Sequence, residues 1–258
     1  VTDAAERDAI IARLRAAGCV FAEDEADLLI EAGAYEQHIA RRVAGEPLEV
    51  ILGWAEFRGL RIPVEPGVFV PRQRSGILVD QARALAPPGS VVVELCAGAG
   101  AVAAALAAER PDLEVYAAEL DPAAVRVAAR TLGSDRVFAG DLYAALPSAL
   151  AGRLGILVAN APYVPTAEIA NMPPEAREHE PLMALDGGSD GLDVQRRVIA
   201  GAREWVSPGG VLIVETSVRQ APASVALMRA AGFDARAVHD DELDGTAAVG
   251  VAPAASAE

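Results

Sequence analysis

Apolar residues recur at helical spacing in the first part of the chain and at strand spacing afterwards, and the switch near residue 50 divides it. Ile10, Ile11 and Leu14 form one apolar helical face, with Asp3 as its cap, Glu6 as the capping-box partner and Gly18 as its stop. Ala26, Leu29 and Ile30 mark a second helix, and residues 35–43 a third, ended by Gly45 and Pro47. Residues 50–70 carry Val, Ile, Phe and Trp punctuated by Gly53, Gly59 and Gly67, which predicts a β-hairpin connection. Beyond it, strands are predicted at 91–95, 114–119, 136–139, 156–159, 211–215, 234–239 and 246–251, with helical segments between them. Residues 101–109 form an Ala-rich helix closed by Pro111, and Asp121 caps another whose first position is Pro122. This alternation predicts an α/β fold, a mostly parallel sheet with helices on both faces. Ligands of such sheets bind beyond the carboxyl ends of the strands, where the strand order reverses.

Composition narrows the class. At 258 residues and 52% hydrophobic content the chain can bury one large domain and a small appendage. A formal charge of -15 argues against direct capture of nucleic acid, although Arg41, Arg42, Arg58 and Arg61 lie close enough in sequence for a local basic patch. Two cysteines, Cys19 and Cys96, and three histidines offer neither a disulfide framework nor a zinc site, so no metal is expected. No secretory leader and no apolar run of bilayer length is visible, and a soluble, cytoplasmic monomer without membrane attachment is expected.

The candidate chemistry gathers at strand ends. Glu94-Leu95-Cys96-Ala97-Gly98-Ala99-Gly100 leaves a strand and enters a helix; glycines admit close approach of a ligand, and helix-start amides favour electronegative groups. Glu119 stands about 20 residues further on, where a carboxylate can accept ribose hydroxyl protons. A dinucleotide site shares both features, and Gly98-x-Gly100-x-x-Ala103 meets a relaxed form of its fingerprint. Glu94 separates the readings, because an acid before the loop repels a pyrophosphate and attracts a cationic amino group such as that of S-adenosylmethionine. Asp141 is placed to meet an adenine edge, with Leu142 against its face.

Asn160-Ala161-Pro162-Tyr163 follows an apolar run and carries the second chemistry. An amide nitrogen is a poor nucleophile because its lone pair is delocalised into the carbonyl. If the Asn160 side-chain oxygen and the Ala161 carbonyl accept its two N–H groups, it can pyramidalise toward a methyl group as charge develops. Pro162 holds Ala161 extended, which aims that carbonyl. Tyr163 can pack on the planar amide and exclude water.

On these residues the chain resembles the HemK/PrmC family of protein-(glutamine-N5) methyltransferases. The resemblance also runs through Gly45-Glu46-Pro47-Leu48, Ile51-Leu52-Gly53, Phe69-Val70-Pro71-Arg72, His179-Glu180-Pro181, Ala184-Leu185-Asp186-Gly187-Gly188 and Asp190-Gly191-Leu192. It implies a class I methyltransferase domain over 75–258, a helical substrate-recognition module over 1–48 and a hairpin linker over 49–74. It implies S-adenosylmethionine contacts at residues 96–100, Glu119, Leu142 and Asn160. It places the substrate glutamine, that of the Gly-Gly-Gln motif of peptide chain release factors, at Asn160, Ala161, Pro162 and Tyr163. Two departures stand out. Ala161 occupies the first proline of the family's Asn-Pro-Pro-Tyr, and Pro71-Arg72-Gln73-Arg74-Ser75-Gly76 stands where the family has Pro-Arg-Pro-Glu-Thr-Glu. Arg72 is carried as a candidate substrate contact.

Plainer readings stand beside these. Cys96 reads as a small packing residue, His179 as a loop tether, Glu215 as a carboxylate satisfying neighbouring amides, and Arg74 as a solvated charge. Three functions stay open on the sequence: the glutamine methyltransferase or a diverged relative acting on another protein, peptide or small-molecule nitrogen; an NAD-dependent oxidoreductase; and a cofactor-binding partner protein without catalysis.

Overall fold

The apolar spacing of the first helices folds them onto one another. In the computed structural model, which describes residues 4–33 and 36–255, α1 (Ala4–Ala16), α2 (Ala22–Glu31), α3 (Glu36–Val43) and α4 (Leu48–Leu52) enclose a small core including Ile10, Leu14, Leu29, Ile39 and Ile51. Asp3 and Tyr35, expected as a cap and a helix start, lie outside the described residues. The hairpin is shorter than the 50–70 expected. Residues 50–52 belong to α4, which ends at a left-handed Gly53, and the strands are β1 (Trp54–Phe57) and β2 (Leu60–Pro63). An apolar run this short does not distinguish a turn of buried helix from a strand. The basic patch does not form, because every one of its guanidiniums faces an acid: Arg41 with Glu46, Arg42 with Glu25, Arg58 with Asp80 and Glu109, and Arg61 with Glu31.

After α5 (Gly76–Leu85) come β3 (Val91–Leu95), α6 (Ala101–Glu109), β4 (Glu114–Glu119), α7 (Pro122–Leu132), β5 (Val137–Ala139) and β6 (Leu154–Ala159). They are followed by α8 (Pro174–His179), α9 (Leu182–Leu185), α10 (Asp193–Trp205), β7 (Val206–Glu215), α11 (Ala221–Ala230), β8 (Asp234–Asp240) and β9 (Gly245–Val251). The seven strands order as β5-β4-β3-β6-β7-β9-β8, parallel except for β9, which runs antiparallel to both neighbours. All five positions of β3 are buried. Near-continuous apolar runs of this kind belong to strands covered on both faces. One face is covered by α5, α6 and α7 through Leu78, Leu106 and Val127; the other is covered by α10 and α11 through Val198 and Met228. Asp121 caps α7 as its sequence dictates, its carboxylate accepting the Ala123 N–H at 2.9 Å with Pro122 next in line. A cap of this type contributes about 1 kcal/mol.

Strand starts account for the remaining differences. β5 begins at Val137 because Arg136 closes a 3-10 turn. β6 and β7 begin at Leu154 and Val206 rather than at 156 and 211, and the register slips between the Leu154–Val206 and Ile156–Val211 pairs. Ser207-Pro208-Gly209-Gly210 bulges out there: it has the turn chemistry its sequence advertises, placed inside a strand. The chain leaves β3 for β4 and β5, then returns on the other side of β3 as β6. The carboxyl ends of β3, β4 and β6 thus share one crevice.

Candidate active site

The crevice is a cavity of about 520 Å³. On one wall, β3 delivers Glu94 and the loop that enters α6. Glu94 is buried, and its Oε2 accepts the Ala103 N–H at 2.8 Å, so it closes the first turn of α6 while lining the cavity. Burial pushes its carboxyl up to about 8, with the nearby Glu119 adding to the rise and the Ala103 N–H opposing it. Without a cation beside it, Glu94 is largely protonated at neutral pH. Gly98 takes φ 53°, and a Cβ there would meet no atom within 4 Å: the space belongs to the cavity. Its N–H donates to Glu119 Oε2 at 2.7 Å, while Leu120 and Asp121 donate to Oε1 at 2.7 and 2.9 Å. Three of the roughly four lone-pair positions of that carboxylate are therefore occupied by the backbone. Gly100 stands behind the loop, packed against Ala128 and Leu132 of α7. Burial raises the Cys96 thiol far above the ordinary cysteine range, with the charges of Glu119 and Glu94 adding to it, which leaves a packing residue rather than a thiolate. Leu142 is buried, and Asp141 accepts from Arg197 of α10 at 2.7 Å; both line the cavity.

The second wall is the tetrad leaving β6, the neighbour of β3. Asn160, Ala161, Pro162 and Tyr163 all line the cavity, with Ala161 buried. The Asn160 Nδ2 donates to Ser75 Oγ at 3.2 Å. The Tyr163 hydroxyl donates to Glu215 Oε1 at 3.4 Å, and the Tyr163 carbonyl accepts from Gln220 Nε2 at 2.9 Å. Burial raises the Tyr163 hydroxyl above its ordinary range, with the Glu215 charge adding to the rise. The segment of the two glycine motifs folds directly onto the tetrad. A Cβ at Gly187 would lie 2.7 Å from the Pro162 carbonyl oxygen, and one at Gly191 2.2 Å from that of Tyr163. Backbone packed on backbone is what those glycines permit, and the sequence pattern alone gave them no role.

Two arginines pair with buried acids while keeping part of their solvent exposure. Arg74, its side chain 46% exposed, reaches the buried Glu215 Oε1 at 3.4 Å, so the departure at this position forms an ion pair at the edge of the interior. Arg72 pairs with the buried Glu180 and lies 5.3 Å from the Phe69 ring, lining the cavity beside the tetrad. Nothing in the sequence assigns Ser75 or Gln220 to the site, and Glu215 reads there only as a satisfier of amides. Ser75 lies 85 residues from the side chain it touches and Gln220 57 residues away, so no local pattern could reveal them.

A parallel sheet reversing at β3/β6, with an acid and a glycine loop on one wall and an amide-bearing tetrad on the other, defines a class I S-adenosylmethionine-dependent methyltransferase. Residues 60–172 match the methyltransferase small domain family. The chain is 39% identical over 199 residues to the release factor glutamine methyltransferase of Geobacter sulfurreducens, covering 76% of this chain and 69% of that protein. It is 33% identical over 261 residues to the protein of the same name from Bifidobacterium longum, covering 92% and 88%. A methyltransferase from Pyrococcus furiosus shares the fold at a TM-score of 0.58 and 15% identity, over 85% of this chain and all of that one. The chain belongs to the release factor glutamine methyltransferase family, and the oxidoreductase reading falls with that assignment.

Proposed function

We propose that this chain transfers the methyl group of S-adenosylmethionine to the side-chain amide nitrogen of a glutamine, that of the Gly-Gly-Gln motif of a peptide chain release factor. One observation carries the reading: the Asn160-Ala161-Pro162-Tyr163 tetrad and the Glu94–Gly98 loop leave adjacent strands and line a single cavity. The residues present fit the methyl donor. Gly98 leaves open space, and the buried Glu94 gains a counter-ion when a cationic amino group approaches. Glu119, Asp141 and Leu142 line the part of the wall assigned to ribose and adenine.

S-adenosylmethionine supplies an electrophilic methyl carbon on a sulfonium. Asn160 Oδ1 and the Ala161 carbonyl, which line the same cavity, would accept the two N–H groups of the substrate amide and stabilise the positive charge that grows on its nitrogen. Tyr163 packs on the amide plane and keeps water out. With the donor bound, transfer would form the N–C bond as the C–S bond breaks, leaving S-adenosylhomocysteine as a neutral thioether, and one N–H proton would pass to solvent once the site opens; no side chain is required as a general base. We assign substrate recognition to the helices of residues 1–48, whose apolar core is separate from those of the sheet, with 49–74 as linker and 75–258 as the catalytic domain. The test is incubation with labelled methyl donor and purified release factor, with a Gln-to-Ala change in the target motif as control. Label that depends on that glutamine is expected. Tight donor binding without label on any release factor would move the acceptor elsewhere.

A further inference from the structure

The tetrad must be held at both ends if its groups are to meet a substrate amide. Pro162 confines Ala161 at the near end. Beyond Tyr163 the chain is laced to residues 185–188 by its own backbone: Val164 donates to the Leu185 carbonyl at 3.0 Å, Gly187 to the Val164 carbonyl at 2.9 Å and Thr166 to the Gly188 carbonyl at 2.9 Å. The Tyr163 carbonyl receives a side chain instead. Gln220 Nε2 donates to it at 2.9 Å and to the Asp190 carbonyl at 3.0 Å, so both protons of one amide nitrogen bridge the two segments. The amide cannot turn over. Its Oε1 accepts from Ser217 Oγ at 2.7 Å, and a flip would set that oxygen against two carbonyl oxygens. Gln220 is buried, it directly precedes α11, and its backbone is tied as well: its N–H donates to the Ser217 carbonyl at 3.0 Å, and its carbonyl accepts from the Ala223 and Ser224 N–H groups at 2.9 and 3.0 Å. Gly191 makes room for the contact, since a Cβ there would stand 2.2 Å from the Tyr163 carbonyl oxygen and 2.4 Å from Gln220 Nε2. The Tyr163 hydroxyl has a longer contact, 3.4 Å to Glu215, which leaves the carbonyl as the firmer anchor of this residue.

We infer that Gln220 is a positioning residue for methyl transfer: bridging the Tyr163 and Asp190 carbonyls, its amide fixes the far end of the tetrad and with it the Tyr163 ring against the acceptor. Gln220 does not line the cavity and touches no reacting atom. A misplacement of about 1 Å at a reacting group costs on the order of a hundredfold in rate, so a clamp of this kind reaches the chemistry through the backbone it holds. The inference rests on the proposed packing of Tyr163 against a substrate amide, whereas the clamp itself is measurable without substrate.

Tyr163 is the sole tyrosine followed by valine in the chain, so isotopic labelling of tyrosine carbonyl carbons together with valine nitrogens gives one resonance correlation, across the Tyr163–Val164 bond. Gln220→Met keeps the length of the side chain, removes both donors and is expected to shift that correlation; an unmoved one overturns the inference whatever the acceptor proves to be. With a methylatable release factor, Gln220→Met lowers kcat by roughly ten- to a hundredfold, while KM and the donor affinity measured by calorimetry stay within a few-fold. A raised KM at parental kcat, or parental turnover, overturns the inference and leaves the glutamine methyltransferase reading intact. Gln220→Glu separates positioning from packing. Its carboxylate has the shape of the amide but no donor; protonated, it carries one O–H for a carbonyl. Facing two carbonyl oxygens in a buried place, it holds its proton more tightly than an exposed glutamate does. At saturating donor its kcat relative to the parent therefore recovers as pH falls below neutrality, and a ratio that does not change with pH overturns the inference. Should Gln220→Met fail to fold, Ser217→Ala removes the group that orients the amide and is expected to move the same correlation and lower kcat several-fold; an unmoved correlation there is the same refutation.

Discussion

The two walls of the cavity are held by different means. The donor wall is held chiefly over short sequence distances: Glu94 accepts from Ala103, nine positions on, and Glu119 from its own successors Leu120 and Asp121, with Gly98 at 21 residues and the Arg197–Asp141 pair at 56 as its longer ties. The acceptor wall is held from far away, by Ser75, Glu215, Gln220 and the close-packed Gly187 and Gly191. A site built locally can be carried between proteins as a motif, whereas one built from distant elements exists only when the whole fold is assembled. The methyl donor is common to a class, and the acceptor distinguishes its members; under the proposed mechanism the long-range wall is the one that meets the acceptor.

The largest effect expected from a single change is on the acceptor wall. Asn160→Ala removes one of the two acceptors for developing charge and should cost about 10²–10³ in kcat, by analogy with loss of one preorganised hydrogen-bonding group. Donor affinity, measured by calorimetry, should stay within a few-fold. Near-normal turnover in that variant would end the proposed mechanism.

Paired glycine changes test the contrast itself. Gly187→Ala forces a Cβ against the Pro162 and Gly191 carbonyl oxygens, at 2.7 and 2.6 Å, so backbone must move. Overpacking of this kind costs about 1–3 kcal/mol. Thermal unfolding should show it, together with loss of transfer. Gly98→Ala meets no protein atom, yet it keeps a left-handed residue costing about 1–2 kcal/mol and places a methyl group in the cavity. Its distinguishing loss is donor affinity. If Gly98→Ala bound donor normally while Gly187→Ala lost it, the assignment of the two walls would be reversed.

Next in size is a pH effect on the donor wall. Because burial raises Glu94 to about 8 in the absence of a cation, the folded protein binds a proton there that the unfolded chain gives up near the ordinary carboxylate value. That contribution to stability is full below the unfolded value and is lost as pH rises through about 8. Donor binding has the opposite sense. A cationic amino group draws Glu94 to the carboxylate, so binding releases a proton and tightens as pH rises toward about 8, at most by about tenfold per unit. Calorimetry in buffers of different ionisation enthalpy measures the proton. Glu94→Gln should remove both the proton release and the slope, and a slope unchanged in that variant would assign the titration to another group.

The same contrast explains what could be read from the sequence. β3, β4 and α6 match the residues expected for them, since short buried runs bounded by Gly, Pro and Asp carry their own boundaries. The start of β7 was hidden, because Ser207-Pro208-Gly209-Gly210 has turn chemistry and only pairing with Leu154 reveals strand before it. In the site, Glu94, Gly98 and Glu119 announce themselves by spacing. Asn160-Ala161-Pro162-Tyr163 does so by residue type, while its supports do not, because contact across 85 or 57 residues is a property of the fold. Arg74 shows what reading it in isolation misses: its charge is half exposed, as the sequence suggests, and also reaches the buried Glu215.

Ala161→Pro is the smallest change and bears on why the acceptor wall tolerates its departure from the family's pattern. Pro162 already confines Ala161 to extended backbone, so a second proline adds stiffness to a residue that is largely fixed. Where the native conformation suits it, such a change stabilises by about 0.4–1 kcal/mol, chiefly by restricting the unfolded chain. The carbonyl proposed to accept the substrate N–H is retained. A small rise in thermal midpoint and a kcat equal to or above that of the parent are therefore expected. If kcat rises while the midpoint does not, rigidity of the carbonyl limits transfer; if the midpoint rises alone, the long-range contacts from Ser75, Gln220 and Gly187 already supply the stiffness that proline gives elsewhere. A fall in both would show that Ala161 has settled into a backbone conformation no proline can share, and that the acceptor wall has been rebuilt around it.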